Sequence, residues 1–320
     1  MRKTLNREHI EGRIYDHSLA LKKVQNPDSA NYGKDFIGGT IDIATDEEGL
    51  NVVTVNYTYI TEFFSKSGKK DSRFTALKNI IENGKTILAD GKDAATMVKI
   101  DPALALNDFY TNRNGEETLV SAKRNESGFI NIVTSLDKNE KNRSTFEMDM
   151  LINGTEYVEA DEEKHIKADY LKLKGAVFAF NGAILPVEFV VKDQGGIKFF
   201  EGLDASPTNL FFTKVWGNIE NQTIVTRKEE ESAFGEPSIK EYTRNIREWV
   251  VTGAKGEGYE IGDAENGITE EEIKKAMADR NIYLADVKKR QDEYNANKDK
   301  GTAAMSNAAS APAQAGGFNF

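Results

Sequence analysis

Cysteine is absent from the 320 residues, and histidine, tryptophan and proline are scarce, at 3, 2 and 6. The missing cysteines exclude disulfides, thiol nucleophiles and thiolate zinc sites, and they fit a reducing compartment. His9, His17 and His165 are scattered, so they suggest no metal spacing. No window approaches the roughly 18–20 apolar residues of a membrane span. The opening "MRKTLNREHIEGR" lacks the apolar run of a secretory leader, which predicts a cytoplasmic protein with no membrane partner. The signatures G-x-x-x-x-G-K-[ST], G-x-S-x-G and H-E-x-x-H are all missing. The expectation is a chain that is not an enzyme, with no catalytic residue, metal or cofactor.

What is present is charge on a β-rich pattern. Charged residues make up 29% and hydrophobic residues 39%, with a net charge of -10. The sum argues against bulk attraction to nucleic acid, but local potential matters more than the total. Cations cluster in "KSGKKDSR", "AKRN" and "LDKNEKNR", while acids gather in "YVEADEEK", "RKEEES" and the segment 257–272.

Three alternating runs, "IEGRIYDHSLALKKV", "DFIGGTIDIAT" and "EEGLNVVTVNYTYIT", read as a long strand, a second strand and a hairpin partner. Phe74, Leu77, Ile80 and Ile81 then fall at helical spacing before Gly84, and two more strand-like runs follow. Three strands, a helix and two strands is the order of an oligonucleotide-binding (OB) barrel. A looser version recurs: "INGTEYVEA", a hairpin turning at Asn181-Gly182, a short helix in "GGIKFFEGLDAS", and two further strands. The second half reads either as another OB-like barrel or as an unrelated β domain. Beyond it an acidic, Gly-rich linker leads to an amphipathic helix that Thr269 and Glu272 open with capping-box spacing. The expected fold class is mainly β, OB-like, with a C-terminal α-helix. The expected divisions are 1–140 and 141–256 for the β domains, 257–298 for linker and helix, and 299–320 for a disordered tail ending in Phe318 and Phe320.

Alternation along a strand separates two faces. In "YLKLKGAVFAF" Leu171, Leu173 and Val177 form one face, and Lys172, Lys174, Phe178 and Phe180 the other. In "NLFFTKVWGN" Phe212, Lys214 and Trp216 share a face opposite Phe211 and Val215. Rings and lysines on one face suit single-stranded nucleic acid, because bases stack on rings while lysines follow phosphates. The competing reading buries these rings against a helix. In the first domain Arg13 and Tyr15 point away from Ile10, Gly12 and Ile14, and Phe36 lies opposite Ile37. Val53, Val55, Tyr57 and Tyr59 share a face that reads as core. The mobile loop "FFSKSGKKDSRF" offers Lys69, Lys70 and Arg73 to phosphate.

"IEGRIY", "FFTKVWGNIENQ" and the terminal "AASAPAQAGGFNF" together resemble segments of the single-stranded DNA-binding proteins of bacteria and their phages. That family's tail ends in acids and Pro-Phe, whereas Asn319 stands here before Phe320. The resemblance implies a divergent phage or prophage type that binds single-stranded DNA in replication or recombination. It would act in the bacterial host cytoplasm and recruit replication or recombination proteins through Phe318 and Phe320. The oligomeric state is left open. The alternative is a virion structural or assembly protein built from β domains, which the acidic net charge favours.

Overall fold

The computed structural model describes residues 3–64, 67–113, 115–161, 166, 168–230 and 238–308, so Phe318 and Phe320 lie outside the described residues. The chain divides into two compact units, Met1–Leu106 with Lys123–Ala276, and Asn107–Ala122 with Met277–Phe320. Among the described residues no helix is long and apolar enough to cross a membrane.

The first half of the larger unit is a closed barrel. Its elements are β1 (Asn6–His17), β2 (Ala20–Lys23), β3 (Asp35–Ala44), β4 (Val52–Thr61), α1 (Ser72–Asn83), the single turn α2 (Ile87–Asp90), β5 (Met97–Arg113) and β6 (Glu116–Ile132). β1 pairs antiparallel with β3, β3 with β4, and β4 parallel with β6, which neighbours β5. β5 then returns antiparallel to β1 and closes the circuit. The β-branched and aromatic content of β3 and β4 suits a pleated, half-buried surface. α1 forms because Phe74, Leu77 and Ile80 recur at helical spacing and are buried. Asp71 caps its start, and Gly84 donates its N–H to the Ile80 carbonyl at its end. Leu77 is wholly enclosed, so Leu77→Ala would cost about 2–5 kcal/mol.

The second half repeats the circuit. β7 (Ser144–Val158), β8 (Tyr170–Phe178), β9 (Ile184–Val191), α3 (Gln194–Glu201), β10 (Phe211–Glu230) and β11 (Ser238–Ala254) follow in order. β7 pairs with β8, β8 with β9, β9 parallel with β11, β11 with β10, and β10 with β7. Each barrel thus carries its helix between the third and fourth strands of the circuit and closes through one parallel pair, which is an OB-like order. Antiparallel pairing of β1 with β7 joins the barrels into one 11-stranded sheet.

Polar side chains lock that junction. Asn51 donates to the Ile219 carbonyl at 3.1 Å and accepts from the Asn221 amide at 2.7 Å. The buried Arg143 guanidinium meets Glu47 at 2.8 Å. A single apolar cluster runs through both barrels, from Ile10 and Ile41 to Phe189 and Val215.

The opening run predicted as one strand is broken into β1 and β2. At the break Gly39 adopts φ +146°, and a Cβ there would sit 2.4 Å from the Ser18 carbonyl oxygen. A second difference concerns the segment after Gly256, which reads as linker. Tyr259, Ile261, Ile268 and Ile273 pack with Leu151, Phe178 and Phe212 in a separate apolar cluster, while the intervening acids stay outside.

α4 (Glu270–Ala308) opens with a reciprocal capping box. The Glu272 carboxylate accepts from the Thr269 amide at 3.0 Å, and the Thr269 hydroxyl accepts from the Glu272 amide at 3.2 Å. In the smaller unit the tip of the β5–β6 hairpin is fastened to α4. Arg280 meets the buried Asp108 at 2.7 Å, and the Gln291 amide pairs with both the N–H and the C=O of Tyr110.

Candidate nucleic-acid interface

On the first barrel, the end of β4, the loop after it and one side of α1 surround a groove of about 1050 Å³. Its apolar wall is made by Tyr59, Phe63 and Phe64, all exposed, over the buried Phe74. Lys34, Lys70, Arg73 and Lys78 line it among the acids Asp35, Glu62 and Asp71.

Tyr59 reaches this wall through a change of register. Tyr57 is 0% exposed, as its expected core role requires, whereas Tyr59 is 43% exposed, which corrects its sequence assignment to the core. Opposite β3 the pairing shifts between Ile37↔Ile60 and Gly39↔Tyr57, so β4 carries an extra residue. A bulge inverts the alternation beyond it: Ile60 turns inward and Tyr59 outward. Phe36, on the neighbouring strand, meets the Tyr59 ring with centroids 4.7 Å apart.

The loop after β4 is pinned at its base. Phe63 bridges to Lys70, and the Phe64 amide donates to the Lys69 carbonyl at 2.8 Å. Lys70 lies 3.6 Å from Glu62, while Lys34 donates to Asn31 and, like Lys69, makes no ion pair among the described residues. Arg73 is more constrained. Its guanidinium grips both oxygens of the buried Asp71 at 2.6–3.1 Å and donates to the Ser127 hydroxyl at 2.9 Å.

Of the residues predicted for the first domain, Lys70 and Arg73 line the groove and Phe36 backs it through Tyr59. Lys69 sits in the same loop. Arg13 and Tyr15 lie half-buried on β1 and are not among the lining residues, and the Arg13 Nε is buried without a hydrogen-bond partner among the described residues. Phe63 and Phe64 line the groove and were not among the predicted residues. The doubled Phe beside Gly and Lys was the available signal for both.

The second barrel distributes its predicted residues differently. Phe178 is 0% exposed, which corrects its assignment to a binding face. It does lie opposite Leu171 and Val177, but the 259–273 segment covers that face, and its ring packs edge-on to Phe212 at 6.0 Å. Lys172 and Lys174 both hold Glu156, at 3.0 and 2.5 Å, and this keeps the Glu156 carboxyl below its ordinary range. Lys214 pairs with Glu147 at 2.5 Å, which raises the lysine above its usual value.

Trp216 remains open at 40% exposure. Gly253 makes room for it, since a Cβ there would lie 2.5 Å from the indole ring, so one face of Trp216 rests on β11 backbone. A second groove of about 540 Å³ beside it is lined by Trp216, Arg7 and Lys141 among others.

Residues 5–290 match the model of the family described as YorF, and the chain belongs to that family. Among curated proteins none matches it. Among solved structures, the wild-type single-stranded DNA binding protein from Thermus aquaticus is similar, with a TM-score of 0.46 and 10% identity. The likeness covers 83% of this chain and 98% of that one. A likeness at that level assigns no role.

Proposed function

We propose that this YorF-family chain binds single-stranded DNA with little sequence preference and without catalysis. The strand would cross the groove of the first barrel with bases on Tyr59, Phe63 and Phe64. The observation that supports this is the groove itself, where three exposed rings stand beside Lys34, Lys70 and Lys78. Every base has a π-face, so a ring accepts any base, at about 1–3 kcal/mol for each stack. The lysines follow the phosphates, which makes the affinity fall with salt. Trp216, with Arg7 and Lys141 nearby, provides a second stacking position on the barrel joined through the β1–β7 ladder.

The test is fluorescence anisotropy of labelled oligo(dT), at low and then raised salt, with unlabelled duplex as competitor. The parent chain should bind, weaken with salt and resist the duplex. Tyr59→Ala with Phe63→Ala should cost about tenfold or more in affinity, the loss of one or two stacked bases. A parent chain that neither shifts the anisotropy nor retards the oligonucleotide in a gel refutes the proposal.

A further inference from the structure

Arg73 stands in the groove, and a cation there invites a phosphate. Its surroundings leave it little freedom to take one. Asp71, almost wholly buried, caps α1 and accepts from the Arg73 amide at 3.0 Å, so backbone and side chain of Arg73 are both anchored to one carboxylate. Nε and one terminal nitrogen of the guanidinium face that carboxylate, and the other terminal nitrogen donates to Ser127 on β6. The side chain is only 20% exposed.

The guanidinium also lies over two rings. Its central carbon is 5.4 Å from the Phe64 centroid and 5.8 Å from that of Phe129, within cation–π range of both. Phe64 comes from the loop after β4 and Phe129 from β6, and both keep exposed surface. The β6 backbone departs from a regular strand beside these groups. Ser127 has φ +59°, and Gly128 has φ +113° where a Cβ would lie 2.7 Å from the Asp101 carbonyl oxygen.

We propose that Arg73 is a positioning residue: held by Asp71 and Ser127, it fixes Phe64 and Phe129 as a pair of stacking surfaces and does not itself ligate phosphate. This rests on the reading of the groove as a single-strand site. It adds Phe129, and with it β6, to the surface that the bases meet. A lysine cannot replace Arg73, because a point charge offers neither the two-pronged grip on Asp71 nor a planar cation to set against the rings.

The experiment measures oligo(dT) affinity against salt for the parent chain and for Arg73→Lys, Arg73→Gln, Ser127→Ala and Lys70→Gln. Both Arg73 variants should lose about tenfold in affinity, the value of one stacked base, with the salt slope unchanged. Lys70→Gln should flatten the slope by about 0.7, one phosphate contact on a single strand. Ser127→Ala, which keeps the charge and removes an anchor, should weaken binding with an unchanged slope.

In a Phe64→Ala, Phe129→Ala background Arg73→Lys should cost nothing further. A general loosening of the barrel would weaken that background too, and so would overturn the positioning role. Full affinity in Arg73→Lys, or a flatter slope in Arg73→Gln, overturns it equally while leaving the groove reading intact. A parent chain that binds no oligonucleotide removes both.

Discussion

Glu8 is the most exacting place to perturb this chain. It lies on β1 at the junction with β7, opposite Phe146, and is completely buried. Its Oε1 accepts from the Trp249 indole N–H at 2.9 Å, and its Oε2 has no hydrogen-bond partner among the described residues. Burial pushes the carboxyl up from 4.5 to about 8, against the smaller lowering effect of the Trp249 hydrogen bond. The folded state therefore keeps a proton that the unfolded chain gives up above pH 4.5.

Stability is unaffected by this group below that pH and falls as pH rises, until Glu8 ionises in the folded protein near pH 8. At about 1.4 kcal/mol for each pH unit, the loss by about pH 7 is about 3 kcal/mol. Glu8→Gln removes the titration while its amide oxygen still accepts from Trp249, at a cost of about 1 kcal/mol for the donors that take the place of Oε2. Urea unfolding, followed by tryptophan fluorescence, should find parent and variant within about 1 kcal/mol near pH 5. Near pH 8 the variant should be more stable by about 3 kcal/mol. Parallel pH dependence in the two proteins would refute the buried, protonated carboxyl.

Two further perturbations test other parts of the molecule. Gly253→Ala drives a methyl group into the Trp216 ring and should abolish most of the tryptophan quench by oligo(dT), because the other tryptophan, Trp249, is only 3% exposed. Anisotropy should still register binding through the first barrel, and an unchanged quench would remove Trp216 from the interface. Arg280→Ala leaves the Asp108 carboxylate buried with the Ser121 hydroxyl as its remaining side-chain partner among the described residues. It should cost about 3–5 kcal/mol within the smaller unit. Hydrogen exchange at the Tyr110 amide, which donates to Gln291, should speed accordingly, and unchanged protection would show that the pair fastens nothing.

Local signals in the sequence carried the elements that local chemistry builds. Phe74, Leu77 and Ile80 announced α1, Asn181-Gly182 the β8–β9 turn, and Thr269 with Glu272 the start of α4. What escaped depends on partners remote in the chain. The bulge that turns Tyr59 outward is a mismatch between β3 and β4, and neither strand shows it alone. Phe178 carries the correct alternation but is covered by residues some eighty positions later. Lys172 stands directly opposite Glu156 in the β7–β8 register, and only that register reveals that its charge is already matched.

The same logic explains why the candidate interface moved. On the second barrel the strand lysines face strand glutamates across the sheet, so their charge is spent within the fold. Around the groove of the first barrel the lysines sit on loops and on α1, where Lys34 and Lys69 have no ionic partner among the described residues. Among the described residues, the ionic partners of Lys70 and Lys78 stand at 3.6 and 3.9 Å, on exposed side chains. Solvent-screened pairs of that kind are worth about 0–1 kcal/mol, which a phosphate can replace. Cations available to a strand are therefore those that the sheet did not need, and they stand beside the rings that the β4 bulge turned outward.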